Sequence, residues 1–325
     1  MNEFSNKLTT RQVGLGTFPF SSVFSPVSQS DAYDITKSFI DRGGRYIETA
    51  PIYPRTIDLS AILKDFPRDS YCVGTKCVLH LDADGKAVSS GAPESLRAQC
   101  ISEISRLGVD YLDLLQTHVT PTDVSPDVAA AALSELRAEG LVRNIGVSNA
   151  TASDLRSYLQ GAKIDFVQNR YSVIYRTPTD AVVELCQGNG IRFNPYQVIE
   201  RGQLINKDPD AGRWRKGDLR NNKAEYIGDA FDRVHRWALE ALSGIADDAG
   251  ITLEELCIRW VFSRPQSTLP VIGATKVWQV EKNMAVSTEP LSSDILEAIN
   301  SSYNHFAREI RQHFGVSLEE FRGLA

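Results

Sequence analysis

The stretch that decides the fold is RYIETAPIY, residues 45–53. Its apolar pair Tyr46-Ile47 is typical of a short buried strand, the acid Glu48 follows at once, and Tyr53 comes five residues later. Two later apolar runs also end in an ionisable residue, since YCVGTK ends at Lys76 and YLDLLQTH ends at His118. If these strands are neighbours in one parallel sheet, their carboxyl ends meet at one edge and the four side chains converge.

Strand-like and helix-like segments alternate along the whole chain. Strands are predicted in the opening run QVGLGTFPF (12–20) and at 46–47, 71–75, 111–116, 142–147, 166–168, 191–196 and 268–272. Helices are predicted at 32–40, 57–65, 93–107, 125–139, 152–160, 179–186, 230–250, 252–262, 277–285 and 292–303, with polar loops at 82–90 and 206–228.

This order of segments predicts an α/β protein with a closed (β/α)8, or TIM, barrel. No GxGxxG follows a strand, which counts against a doubly wound dinucleotide fold. No break in composition divides the chain, so we expect one domain over 1–325, with a substrate-loop segment at about 300–325. In such a barrel the functional residues lie at the carboxyl ends of the strands.

Composition and charge exclude several classes of protein. The net charge of -6 argues against nucleic acid or an anionic membrane as a partner. No apolar run reaches the length of about 18 residues that a transmembrane helix needs, and the N-terminus lacks the pattern of a signal peptide. The five cysteines are scattered, and neither they nor the five histidines have the spacing of metal ligands. We therefore expect a cytoplasmic protein with reduced thiols and no metal site.

The four converging side chains suit one kind of chemistry. A tyrosine hydroxyl ordinarily has a pKa of about 10, and a nearby ammonium such as Lys76 favours its phenolate form. The imidazole of His118 can donate a hydrogen bond to a substrate oxygen, and Glu48 can hold the lysine in place. Singly, each residue has an ordinary structural explanation. Together they suit hydride addition to an aldehyde or ketone, for which a nicotinamide cofactor is needed.

From Val13 to about Asn283 the sequence resembles the aldo-keto reductase family. VGLGTF resembles the first barrel strand of the family, and ETAPIY resembles its Asp-Thr-Ala-x-x-Tyr signature. The strand ends at Lys76 and His118 match the remaining catalytic positions. IGVSN and VQNRYS match the segments that hold the nicotinamide carboxamide, GIRFNPYQ matches the strand with an aromatic ring for the nicotinamide face, and VIGATKVWQVEKN matches the segment at the adenosine phosphate.

The resemblance implies a (β/α)8 barrel that binds NADPH without a Rossmann fold. It implies that Tyr53 is the general acid, that Lys76 lowers the pKa of Tyr53, that His118 orients the substrate carbonyl and that Glu48 holds Lys76. The cofactor-binding positions that it implies are Gly16, Thr17, Ser148, Asn149, Gln168, Tyr196, Gly273, Thr275, Lys276, Gln279 and Asn283.

The sequence departs from the family pattern at two important positions. Glu48 stands where the family usually has aspartate, and we expect activity to survive because the charge is kept. Gln279 stands where many members carry an arginine that binds the phosphate. We expect NADPH because backbone amides, Thr275 and Lys276 are able to accept a phosphate, with NAD as the alternative.

Substrate contacts are expected from the loops at the strand ends. Phe18, Phe20, the loop after His118 and the tail after Tyr303 are candidates, and residues 206–228, with Trp214, are expected either to fold over the cofactor or to form a surface loop. The partner is then a small carbonyl or alcohol, including a sugar. The alternative is a nicotinamide-binding regulatory subunit with little turnover, and Glu48 is the reason to keep it.

Overall fold

The computed structural model describes residues 11–82, 84–205, 216–222 and 229–321. An eight-stranded sheet forms its centre. In chain order, β1 (Gly14–Gly16), β2 (Tyr46–Glu48), β3 (Cys72–Cys77), β6 (Leu112–Thr117), β7 (Val142–Ser148), β8 (Phe166–Gln168), β9 (Arg192–Phe193) and β10 (Val271–Gly273) build this sheet. Its strand order is β10-β1-β2-β3-β6-β7-β8-β9, and every adjacent pair is parallel. The predicted α/β class is confirmed.

Helices connect the strands. They are α1 (Gln29–Asp41), α2 (Leu59–Leu63), α3 (Pro93–Leu107), α4 (Pro126–Ala138), α5 (Ala152–Gly161), α6 (Thr177–Asn189), α7 (Asp229–Trp237), α8 (Ser243–Asp248), α9 (Leu253–Phe262), α10 (Val277–Ala285), α11 (Ser293–Phe314) and α12 (Leu318–Phe321). A π-helical turn, Ala238–Leu242, joins α7 to α8. Ser28 begins α1 with a capping box, because its hydroxyl and the Asp31 carboxylate each accept from the other's backbone amide.

The two ends of the strand order approach each other. Isolated parallel bridges pair Phe193 with Ser267 and Tyr196 with Val271. The amide of Phe193 donates to the carbonyl of Gln266 at 2.8 Å, and the amide of Val271 donates to the carbonyl of Pro195 at 2.8 Å. The sheet is therefore curled, so that the segments flanking β9 and β10 exchange hydrogen bonds.

Alternate residues of each strand point to opposite faces of the sheet. Ile47, Val73 and Leu115 belong to the large cluster that packs between the sheet and the helices. Their neighbours one position away belong to a second, smaller cluster, which contains Tyr46, Cys72, Leu114, Phe166, Leu269 and Val271. That second cluster fills the inner side of the curled sheet, so the core has an inner and an outer layer.

Two of the regions that differ from the sequence prediction are an added hairpin and the last long helix. Residues 82–90, predicted as a loop, contribute β5 (Ala87–Ser89), which pairs antiparallel with β4 (Leu79–Leu81). Its residues are largely exposed, so no apolar pattern marked the hairpin. The last long helix was predicted to stop at residue 303 and instead continues to Phe314, because Phe306 and Ile310 also pack into the core.

Within the described ranges, no helix combines the length and the apolar character needed to cross a bilayer.

Candidate active site

Glu48 and Lys76 lie on the inner face of the sheet, in line with inner-layer residues earlier in their strands. In β2 the residues on the inner face are Tyr46 and Glu48, and in β3 they are Cys72, Gly74 and Lys76. The register pairs Glu48 with Gly74 and Lys76 with Gln116, so neighbouring strands end at similar heights. The inner layer thus changes from apolar to polar toward the carboxyl ends, which gathers the polar side chains there.

Glu48, Tyr53 and Lys76 form one hydrogen-bonded group. The Lys76 ammonium and the Glu48 carboxylate make a buried ion pair, with 3% of each residue exposed. Lys76 Nζ donates to the Tyr53 hydroxyl at 3.1 Å, and that hydroxyl donates to Glu48 Oε1 at 3.1 Å. The longer side chain of glutamate therefore reaches both partners and holds them together.

His118 completes the group beside the tyrosine. Its ring centroid lies 6.2 Å from that of Tyr53, with the two rings nearly perpendicular. Its backbone amide donates to the Cys77 carbonyl at 2.8 Å, and its own carbonyl accepts from Asn149 Nδ2 at 2.9 Å. Its Nδ1 is buried and has no hydrogen-bond partner among the described residues. The main chain is fixed, and the ring has hydrogen-bonding capacity left for a bound molecule.

Burial controls the protonation of this group. It raises the pKa of Tyr53 above its ordinary value, while the guanidinium of Arg201 acts in the opposite direction. Burial lowers the pKa of Lys76, and the adjacent Glu48 carboxylate opposes this by favouring the ammonium. Burial, and then the charge of Lys76, lower the pKa of His118 to about 3. At neutral pH the site therefore holds a neutral phenol beside a neutral imidazole.

The effect of burial on Tyr53 opposes the expectation that Lys76 lowers the pKa of this tyrosine. Glu48 lies against both groups, and its negative charge offsets the ammonium at the phenol. A phenol that keeps its proton is suited to donate it.

A cavity of about 810 Å³ opens over these side chains. Its wall includes most of the predicted site residues, namely Gly16, Phe18, Glu48, Tyr53, Lys76, His118, Ser148, Asn149, Gln168, Tyr196, Gly273, Thr275, Gln279 and Asn283. Phe18 packs edge-on against the Tyr53 ring, with 5.0 Å between ring centroids. A volume of this size accommodates an extended cofactor or a drug-sized ligand.

Several polar atoms on the cavity wall have no hydrogen-bond partner among the described residues. Ser148 Oγ, Gln168 Nε2 and Asn283 Oδ1 are buried and make no hydrogen bond within the described part of the chain. Buried polar groups of this kind are almost always satisfied by a ligand or water. Ser148 and Gln168 are register partners at the ends of β7 and β8, so their free groups suit an amide such as a nicotinamide carboxamide. Asn149 differs, because its Oδ1 already accepts from the Tyr196 hydroxyl at 2.7 Å.

The start of α10 is already occupied by side chains of the protein. Gln279 Oε1 accepts from the amide of Thr275 at 2.7 Å, from the amide of Lys276 at 3.1 Å and from the Thr275 hydroxyl at 3.3 Å. Lys276 Nζ lies 3.5 Å from Asp31 Oδ1 of α1. The donors that the sequence suggested for a phosphate are therefore engaged within the protein.

Some predicted site residues lie outside the cavity wall. Phe20 is 3% exposed and packs in the outer core layer, so it does not reach a substrate in the cavity. Thr17 is buried, and its amide donates to the Glu48 carbonyl at 2.9 Å. None of the described residues after Tyr303 lines the cavity, because that segment packs as helix. Trp214 and most of 206–228 lie outside the described residues.

Sequence reasoning missed several residues of the wall, including two arginines and a tryptophan. Arg201, Arg220 and Trp278 line the cavity. Trp278 is 53% exposed at the edge of the cavity. Arg201 follows the predicted strand at 191–196 and Arg220 lies in the predicted loop at 206–228, and no sequence pattern distinguishes either arginine as a site residue.

In the described part of the chain, no group of three or more His, Cys, Asp or Glu side chains comes together as metal ligands would.

Comparison with solved structures reveals similar folds. A glycerol dehydrogenase from Gluconobacter oxydans superposes with a TM-score of 0.81 at 22% identity, covering 94% of this chain and 92% of the other. An aldo-keto reductase from Bacillus halodurans, in its holo form, superposes with a TM-score of 0.74 at 22% identity, covering 90% and 91%. At this identity the similarity establishes the fold alone.

Comparison of sequences identifies the family. The chain is 27% identical over 310 residues to an NADH-specific methylglyoxal reductase of Escherichia coli (strain K12), covering 88% of this chain and 92% of the relative. It is 25% identical over 292 residues to a probable aldo-keto reductase of Glycine max, covering 89% and 84%. The model of the aldo/keto reductase family matches residues 12–304, and the chain belongs to that family.

Proposed function

We propose that this protein is a nicotinamide-dependent oxidoreductase that interconverts the carbonyl group of a small aldehyde or ketone and the corresponding alcohol. The single observation that carries the proposal is the group Glu48–Tyr53–Lys76, with the phenol between an ammonium and a carboxylate at the floor of the cavity. Family membership supports the class of reaction.

In the proposed reaction Tyr53 is the general acid. The cofactor, when bound, supplies the hydride that adds to the carbonyl carbon. The carbonyl oxygen then gains negative charge, and the Tyr53 hydroxyl donates its proton to that oxygen. Because burial raises the pKa of Tyr53, the hydroxyl carries its proton before each reduction.

Lys76 acts on the phenol oxygen of Tyr53, and His118 acts on the carbonyl oxygen of the substrate. Lys76 Nζ donates to the phenol oxygen, and its positive charge stabilises the phenolate that proton transfer leaves behind. His118 is neutral because its pKa is lowered, so one ring nitrogen carries a hydrogen for the carbonyl oxygen of the substrate. Glu48 keeps Lys76 in place and charged.

The residues present fit a nicotinamide cofactor. Ser148 Oγ and Gln168 Nε2 offer an acceptor and a donor for the carboxamide, and the Tyr196 ring lies on the same wall. Asn283 Oδ1 is available further along the cavity. This arrangement supports a cofactor extending from Tyr53 toward α10.

We favour NADH over the NADPH that the sequence suggested. A phosphate on the adenosine ribose would need the amides of Thr275 and Lys276, which Gln279 occupies, or the ammonium of Lys276, which Asp31 partly neutralises. The name of the relative from Escherichia coli, an NADH-specific reductase of a small aldehyde, supports the same preference and the same substrate class.

The proposal includes the closed (β/α)8 barrel as the form of a single domain. Hydrogen bonds between the segments around Phe193, Pro195 and Val271 support closure. The known fold of the family supports the same architecture.

A substrate screen tests the function. Purified protein is mixed with NADH and a panel of small aldehydes and ketones, and with NAD and the matching alcohols, while absorbance of the reduced cofactor is followed. We expect cofactor-dependent turnover of small reactive aldehydes. Tight NADH binding with no turnover on any member of the panel would contradict the proposal and favour a cofactor-sensing regulatory subunit.

A further inference from the structure

A strained segment forms part of the cavity wall next to the proposed site. Gln197, Glu200 and Arg201 all have left-handed backbone conformations, with φ of 56°, 48° and 55°. This conformation is uncommon for residues with a Cβ and persists only where surrounding contacts enforce it. Gln197, Arg201 and Gly202 line the cavity. The contacts that hold this segment therefore decide what the cavity presents to a ligand.

Glu200 is the inner anchor of the segment. It is fully buried, whereas the cavity-lining residues Gln197 and Arg201 are partly exposed. Its carboxylate forms an ion pair with Arg170 and accepts a hydrogen bond from the Ser172 hydroxyl at 2.5 Å. Both partners follow β8, so they tie the segment after β9 to the loop of the neighbouring strand. A buried charge with two such partners fixes its own backbone firmly.

Arg220 clamps the same segment at its main chain. Its Nη1 donates to the Arg201 carbonyl at 2.8 Å, while Asp218 holds its other nitrogens at 2.7 and 2.9 Å. Arg201 and Arg220 both line the cavity. The positive charge of Arg201 also reaches the site, since it lowers the pKa values of Tyr53 and Tyr196 against the effect of burial.

We propose that Glu200 is a positioning residue, which acts through Arg201 to present a guanidinium to an anionic group bound in the cavity. The carboxylate pulls the chain inward at residue 200, so that the next side chain points the other way, into the cavity. Without the ion pair to Arg170, the left-handed backbone relaxes and Arg201 leaves its place. The proposal rests on the proposed function only in the choice of NADH as one of the two probes.

The test is a double-mutant cycle with two anionic probes. Dissociation constants for NADH and for inorganic pyrophosphate are measured on the full-length wild type, Glu200→Gln, Arg201→Ala and the double variant. Glu200→Gln and Arg201→Ala should each weaken both probes about tenfold. The double variant should bind no more weakly than Arg201→Ala alone, because Glu200 acts through that arginine. The KM for NADH should rise in both single variants.

Asp113→Asn is the matched control. Asp113 is likewise a buried acid, paired with Arg68 at 2.7 Å and accepting from the amide of Val73, but neither residue of the pair lines the cavity. The Asp113→Asn variant should be less stable than the wild type, but it should bind NADH and pyrophosphate with the wild-type affinities. If Glu200→Gln does not fold, Ser172→Ala removes one of the two anchoring contacts and should weaken pyrophosphate binding in the same direction.

Two results would overturn the proposal. One is unchanged pyrophosphate affinity in folded Glu200→Gln or, in its place, Ser172→Ala. The other is additive weakening in the double variant, which would mean that Glu200 acts independently of Arg201. The proposed function is contradicted by a different result. If the affinities follow the expected pattern but the wild type reduces no carbonyl compound, the proposed function is wrong and the role of Glu200 is still supported.

Discussion

His118 has a different protonation state in the folded protein from the one it has in water at mildly acidic pH. Its imidazole packs beside Tyr53 and near Lys76, and burial lowers its pKa to about 3 from an ordinary value near 6.5. The folded protein thus binds fewer protons at this residue than the unfolded chain does between these two pH values. Its contribution to stability is complete above pH 6.5 and is lost as the pH falls toward 3.

A substitution tests the state of His118. We expect His118→Gln to flatten the dependence of stability on pH, so that the loss between pH 7 and pH 4.5 shrinks by on the order of 2 kcal/mol. Urea unfolding at the two pH values measures this. His305→Gln, a change at an exposed histidine, should leave the dependence as it is in the wild type. Equal slopes for wild type and His118→Gln would show that His118 is protonated in the folded state.

Glu48 is the second residue for which the structure supports a definite prediction. Its carboxylate serves both Lys76 and Tyr53, and the space beside Gly16 admits the longer side chain, since a Cβ at that glycine would lie 3.6 Å from Glu48 Oε2. We expect Glu48→Asp to change kcat/KM by less than about tenfold, because the charge is kept. Glu48→Gln should cost more, since it leaves a buried ammonium without its counter-ion. Steady-state kinetics compare the two. A large gain in Glu48→Asp would contradict the fit of glutamate to this site.

At the scale of the element, β3 depends on one close approach. A Cβ at Gly74 would lie 2.3 Å from the Tyr46 hydroxyl and 2.7 Å from its Cε2, so only glycine allows Tyr46 to sit beneath Lys76. The Tyr46 hydroxyl is buried without a hydrogen-bond partner among the described residues. Replacing Tyr46 by phenylalanine therefore removes bulk and leaves no group unsatisfied.

We expect Gly74→Ala to lower the free energy of unfolding by about 1–3 kcal/mol. Tyr46→Phe in the same chain should recover part of that loss, because it removes the nearest atom. Urea unfolding of the single and double variants gives the coupling. Gly188→Ala, in helix α6 with open space around it, is the control and should not destabilise. No recovery in the double variant would mean that the clash lies elsewhere.

The secondary-structure elements show how much of the fold can be predicted from the sequence. Short apolar runs predicted the eight sheet strands, and their ends predicted the place of Lys76 and His118. The exposed hairpin of β4 and β5 was not predicted, because its stability comes from the pairing of the two strands and not from an apolar sequence pattern. Arg201 escaped for a different reason: its position depends on the contact of Glu200 with Arg170, 30 residues away, which no local pattern encodes.

At the scale of the whole molecule, the helix that follows the first sheet strand and the helix that follows the last sheet strand meet beside the cavity. Helix α10 packs against α1, and Lys276 of the one pairs with Asp31 of the other, 245 residues apart. Sequence patterns locate Lys276 at a helix start but cannot reveal this partner. The predicted preference for NADPH assumed a free ammonium, and the fold supplies a carboxylate beside it.

Cofactor preference follows from that contact. We expect NADH to bind at least about tenfold more tightly than NADPH, because the phosphate would displace Gln279 and meet Asp31. The double variant Asp31→Asn with Gln279→Ala should narrow the ratio by improving NADPH. Fluorescence titration measures both constants, with Asp34→Asn, a change at an exposed acid on the same helix α1, as a control for net charge. Tighter binding of NADPH by the wild type would contradict this account of the helix start.

The most direct test of the central claim is the rate of carbonyl reduction by Tyr53→Phe. Removing one hydroxyl leaves the ring against Phe18 and takes away the proton that the account requires. With an aldehyde that the wild type reduces, kcat/KM should fall by roughly 10²–10⁴-fold while the dissociation constant of NADH stays unchanged. Tyr158→Phe, which removes the hydroxyl of a buried tyrosine outside the cavity, should keep the wild-type rate. A Tyr53→Phe enzyme that reduces the aldehyde at the wild-type rate would contradict the account.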